Sequence, residues 1–193
     1  MRFIHYSSLL VAVWLSAGSG VALEAEARAR GPKRATVNEI IVHATGGPFC
    51  RGGEVVFSPA GTVASIKRFF EASGSVSIHY IIGRDGEVAK SVPEDEVAFH
   101  AVDHNDHAIS IELINDGDGR EPYPEAQVAA LVNLIKAVRR RWGIPLSAIK
   151  GHEDVDRSTF ACGGRQARRK QDPGPQFPWE RFRQELKLAD QPT

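Results

Sequence analysis

Residues 150–179 place His152 after a short apolar step and then, beyond a long loop, Lys170 and Asp172 ahead of Pro173, Gly174 and Pro175. Imidazole and carboxylate together suit a divalent cation such as zinc, and the nearby lysine adds a positive charge. The Pro-Gly-Pro turn fixes the backbone direction next to Asp172. One histidine and one aspartate do not make a metal centre, so a third ligand and a base must come from elsewhere. His43 closes the apolar run 38–45 (NEIIVHAT), and Glu112 interrupts 108–114 (AISIELI). Taken singly, each has a blander reading. A histidine on an apolar strand is more often a hydrogen-bonded core group, and a strand glutamate more often faces water.

The elements that must hold these residues can be read from periodicity. Run 38–45 has the pattern of a buried strand delivering one polar group at its C-terminal end. Residues 46–61, rich in Gly and Pro, read as a loop. Thr62 can cap a helix with Val63, Ile66, Phe69 and Phe70 on one face and Gly74 as its stop. Residues 76–82 and 87–92 are strand-like around the Arg84-Asp85-Gly86 turn, and 97–101 is a further short segment. In 108–114, Ile109, Ile111 and Leu113 share one face, Ser110 and Glu112 the other. Residues 124–142 form the longest helical pattern, with Gly143 beyond its end, and 179–188 reads as a closing helix. The fold class is mixed α/β, a central mixed β-sheet flanked by helices in one domain.

Composition narrows the setting. The 193 residues carry 24 basic and 24 acidic side chains, so nothing global favours nucleic acid. Hydrophobic residues at 42% are enough for a packed core. Arg2, the apolar run 9–17 and the small residues 18–22 form the pattern of a secretory signal peptide, expected as residues 1–22. That run is too short for a membrane span, so no stable membrane insertion is expected after its removal. Residues 23–35 read as a linker and 36–190 as the domain. Export to the periplasm or the medium leads to the expectation that Cys50 and Cys162 are paired rather than free.

In order along the chain, IIVHATGG, SIHYIIGRDGEV, VPEDEVAFHA, N-x-x-A-I-S-I-E-L, GHEDVD and RKQDPGPQFPW resemble the zinc-dependent N-acetylmuramoyl-L-alanine amidases. That family shares its fold with peptidoglycan recognition proteins and some phage lysozymes. The resemblance covers residues 37–179, and the K-x-D-P-G-P-x-F-P-W ending is its specific part. It implies His43, His152 and Asp172 as zinc ligands, Glu112 as general base and Lys170 as cationic stabiliser. It puts His100 at the substrate cleft, and Arg169, in the basic loop, is a candidate for stem-peptide carboxylates. The substrate implied is peptidoglycan or a muropeptide, and the protein is expected to act as a monomer.

Some relatives use a cysteine as third ligand, which makes Cys162 a rival to Asp172. If His43 and His152 share one metal, the loops after them leave the same rim, where Cys50 and Cys162 could bridge. His79 is expected to be structural, His104 and His107 to lie in a surface loop, and the Asp-Gly repeat at 116–119 to be a turn. Two other readings share the fold or the chemistry: a peptidoglycan-binding module without catalysis, and a secreted cell-wall-degrading effector.

Overall fold

The computed structural model describes residues 31–189, so the expected signal peptide and most of the linker lie outside the described residues. Their central element is a five-stranded sheet of order β5-β4-β6-β1-β7. Its strands are β1 (Glu39–Ala44), β4 (Tyr80–Ile82), β5 (Val88–Lys90), β6 (Ala108–Leu113) and β7 (Ile149–Gly151). β4, β6, β1 and β7 run parallel and β5 is an antiparallel edge, so the sheet is mixed as expected. Every residue of β1 and β6 is buried, the signature of strands covered on both faces.

Alternation along the strands sorts the two faces. Ile40, Val42, Ile109, Ile111 and Leu113 join Val128, Leu131, Ile135, Phe182 and Leu186 in one large core. Those last five belong to α2 (Glu125–Trp142) and α4 (Trp179–Ala189). The Nε2 amide of buried Gln127 donates to the carbonyls of Ile82 and Ile114, which fixes α2 against the sheet. Gly143 ends α2 at φ 70°, a conformation an L side chain enters only with strain. The opposite face is covered by smaller pieces. α1 (Val63–Ala72) packs Val63 with Ile78, Ile81 and Ile114, and residues 98–107 lay Ala101 over Ile41. Thr62 caps α1 as read from sequence, exchanging hydrogen bonds with Ser65.

Three expectations need correction. Residues 46–61 are not all loop: β2 (Pro48–Arg51) and β3 (Glu54–Phe57) form a hairpin, too short and Gly-flanked to announce itself. The long loop between His152 and Asp172 holds a second one, β8 (Thr159–Cys162) with β9 (Arg165–Arg168). Residues 31–35 are not linker but part of the domain. The Gly31 amide donates to Val97, and the Arg34 guanidinium reaches inward to the carbonyls of Glu94, Asn105 and Ala108. None of the described helices is long and apolar enough to cross a membrane.

Candidate metal centre and cleft

The polar residues of the sheet gather where its parallel strands end. In the β1–β6 register His43 stands beside Glu112, so both side chains leave the same face about 4.8 Å apart. β7 delivers His152, the first residue of the short helix α3 (His152–Val155). Gly151, just before it, has no room for a side chain: a Cβ there would lie 2.8 Å from Pro173 Cδ. That close approach lets the Pro-Gly-Pro turn fold back onto β7 and bring Asp172 with it. The Asp172 carbonyl accepts from the Glu153 amide at 2.9 Å, and its Oδ2 accepts from the Ala44 amide at 3.2 Å. The Tyr123 hydroxyl donates to the Pro173 carbonyl at 2.7 Å.

Three buried ligand atoms therefore converge. His43 Nδ1 lies 2.8 Å from His152 Nδ1, His152 Nδ1 lies 3.1 Å from Asp172 Oδ2, and His43 Nδ1 lies 3.7 Å from the same oxygen. Ligands of a tetrahedral zinc, each about 2.0–2.1 Å from the ion, stand roughly 3.3 Å apart, so the donor set fits. Burial, then the neighbouring His152, His100, Lys170 and His79, hold the His43 imidazole far below its usual pKa, in the neutral form a metal requires. His43 Nε2 lies 3.1 Å from His100 Nδ1, and a metal on His43 Nδ1 would leave Nε2 as the donor of this hydrogen bond. His100 thus does more than border the cleft, as expected from the resemblance; it orients a candidate ligand. No spacing signal in the sequence could have paired it with His43.

A cleft of about 290 Å³ opens over this cluster. His43, Glu112, His152, Lys170 and Asp172 line it, with the exposed Arg169, and so do the apolar rings of Phe69, Phe70 and Phe99. Glu112 is buried rather than water-facing, and burial, reinforced by Asp172 and opposed by Lys170, pushes its carboxyl up to about 8. His79 is structural as expected: its Nδ1 sits 2.8 Å from Ser110 Oγ, and Arg34 donates to its Nε2 at 2.8 Å. Burial and the Arg34 charge pull its pKa down to about 3, so it stays neutral. The rival ligand Cys162 is outside the cluster.

Residues 33–175 match the family model described as N-acetylmuramoyl-L-alanine amidase. The chain belongs to this family. Among sequence relatives, the 1,6-anhydro-N-acetylmuramyl-L-alanine amidase AmpD of Enterobacter cloacae is 35% identical over 116 residues, which is 56% of each chain. The N-acetylmuramoyl-L-alanine amidase AmiD of Escherichia coli K12 is 30% identical over 132 residues, 57% of this chain and 44% of AmiD. This chain thus matches about half the length of these curated relatives. Among solved structures, E. coli AmiD in complex with anhydro-N-acetylmuramic acid-L-Ala-D-gamma-Glu-L-Lys superposes with a TM-score of 0.61 at 25% identity. That match covers 79% of this chain and 58% of that one. A selenomethionine AmpD crystal structure gives 0.55 at 26% identity, covering 83% and 95%.

In this amidase-family chain the two hairpins meet at the rim of the cleft. Cys50 of β2 and Cys162 of β8 are joined in a disulfide with their Cα atoms 5.4 Å apart, and no cysteine among the described residues is free. The bridge ties the loop that follows His43 to the loop that follows His152. Gly163 sits so close to the Gly53 carbonyl that an added Cβ would lie 2.2 Å from its oxygen, so the hairpin tips touch backbone to backbone.

Proposed function

We propose that this protein is a zinc-dependent amidohydrolase that cleaves the bond between the lactyl group of N-acetylmuramic acid and the L-alanine of the stem peptide, in peptidoglycan or muropeptides. One observation carries the reading: His43, His152 and Asp172 converge in a ligand triangle beside a buried carboxyl and a lysine, in a chain of the amidase family. A zinc ion held by those three would acidify a water molecule and polarise the scissile carbonyl. The remaining work falls to the chain's own side chains. Glu112, a buried carboxyl lining the same cleft, takes a proton from the attacking water and returns it to the leaving amine. Lys170 sets its ammonium charge where the carbonyl oxygen becomes an oxyanion. Arg169 meets carboxylates of the stem peptide, and the phenylalanines of the cleft receive its apolar parts.

The protein acts as a monomer in the periplasm or medium. Support for that setting comes from the N-terminal signal pattern and from a disulfide that an oxidising compartment would preserve. A binding module without catalysis is the weaker reading, because nothing in the candidate ligand and base set is missing. A secreted effector would share the chemistry and differ in delivery. Mass spectrometry of digested sacculi and of anhydro-muropeptides decides between hydrolysis and binding alone. Release of free stem peptides, abolished by a chelator and restored by zinc, is the expected result; intact substrates under all conditions would leave only binding.

A further inference from the structure

β1 carries a second polar side chain on the face that presents His43. Glu39 lies four residues earlier, which at about 3.3 Å per residue places it roughly 13 Å away, at the opposite end of the strand. It is only 5% exposed. Residues 102–107 form tight turns, closed by the His104 amide on Ala101 and the His107 and Ala108 amides on His104. These turns set two imidazoles, spaced i and i+3, against the carboxylate. His104 Nδ1 lies 2.5 Å from Glu39 Oε2, and His107 Nε2 points at the same oxygen from 3.5 Å. The second distance is too long for a hydrogen bond yet matches the roughly 3.3 Å between two ligands of one zinc ion. Lys150, from β7, holds the other oxygen, Oε1, at 2.5 Å. Burial raises the Glu39 pKa, but Lys150 and His104 outweigh it, so the carboxylate stays ionised below its usual range. The two histidines, expected in a surface loop, lie in surface turns and face a buried acid from there.

We propose that Glu39, His104 and His107 form a second divalent-metal site, of the zinc class, at the pole of the sheet opposite the cleft. One carboxylate and two imidazoles, with ligand atoms all within 4.8 Å of one another, form a donor set of the type such ions take. The site is reachable from solvent, because the side chain of His107 is 37% exposed. It binds more weakly than the cleft, since the Lys150 charge opposes a cation there. Its role is structural. A metal on His104 and His107 pins the turns at 102–107, whose Asn105 Oδ1 accepts from the His100 amide at 2.8 Å, and so holds His100 against His43. This proposal is independent of the amidase reading and needs no substrate.

The test titrates untagged, chelator-stripped protein with zinc against a chromophoric competitor. Two equivalents per chain are expected, about one tight and one weaker, as two separate three-ligand sites require. The His104→Ala/His107→Ala double variant should lose only the weaker equivalent, and Asp172→Ala only the tight one. Lys150→Met should tighten the weaker site and leave the tight one unmoved. A single equivalent in the parent protein overturns the proposal. So does a weaker equivalent that survives in the double variant, which marks adventitious surface binding. If Asp172→Ala keeps both equivalents while the double variant loses one, the cleft assignment fails and this one stands. Folding is checked by the circular dichroism of each variant, and both histidines are exposed enough to be removed without opening the core.

Discussion

The two faces of the central sheet are built from the same strands and differ in almost everything else. On the face under α2 and α4, β1 and β6 present Ile40, Val42, Ile109, Ile111 and Leu113, and two helices cover them with a continuous apolar layer. On the other face the same strands present Glu39, His43, Ser110 and Glu112, all buried. There the cover is piecemeal: one short helix and a turn-rich segment. The difference teaches where each burden lies. Alternate residues of one strand stabilise the domain and perform its chemistry, and polar groups are accommodated on the side whose cover can leave a cleft.

Substitutions on each face should therefore fail in different ways. The largest effect is expected from Glu112→Gln, which should keep zinc and fold but lose ~100–10,000-fold in kcat, as loss of a general base does. Near-normal turnover at saturating substrate would move the base elsewhere. The same variant carries a stability signature. A carboxyl whose folded pKa is raised from 4.5 to about 8 favours folding at low pH, and that contribution is lost as pH rises through this window. In metal-free protein Glu112→Gln should thus gain stability over the parent as pH rises from 4.5 to 8, read as a growing difference in Tm. On the apolar face, Phe182→Ala should cost ~3–5 kcal/mol in urea unfolding, because this ring is wholly buried, while the folded fraction keeps its zinc and its kcat. A fall in kcat of the folded fraction would show that the faces are not separable. A smaller effect is expected from Cys50→Ser/Cys162→Ser, about 2–4 kcal/mol with zinc retained and a raised KM. Loss of zinc in that variant would return Cys162 to the ligand set.

Strong periodicity made much of this legible. β1, β6, α1, α2 and α4 follow from apolar spacing, Thr62 from its capping position and Gly143 from its place after a long helix. The two hairpins were hidden, because four-residue strands between glycines carry too little alternation to stand out from loop. Single residues fared according to their partners. His43, His152 and Asp172 were found through motif resemblance, and the fold brings them together. Burial of Glu112 depends on what covers its strand, which no local pattern states. Arg34 lies in a stretch read as linker, and His104 and His107 lie in surface turns as read, but their contacts, with His79 for the first and Glu39 for the others, come from residues distant in sequence.

The ligand triangle joins parts of the chain made at very different times. His43 and His152 are separated by 109 positions, and the contact from Ala44 to Asp172 spans 128. Contacts of such range form late, after the entropy of closing the intervening loop has been met. A chain still being synthesised or threaded carries His43 long before it carries Asp172, so it has a strand and no reaction centre. The candidate ligand triangle therefore comes into being only when the last stretch docks, so any chemistry proposed for it waits on completion of the fold.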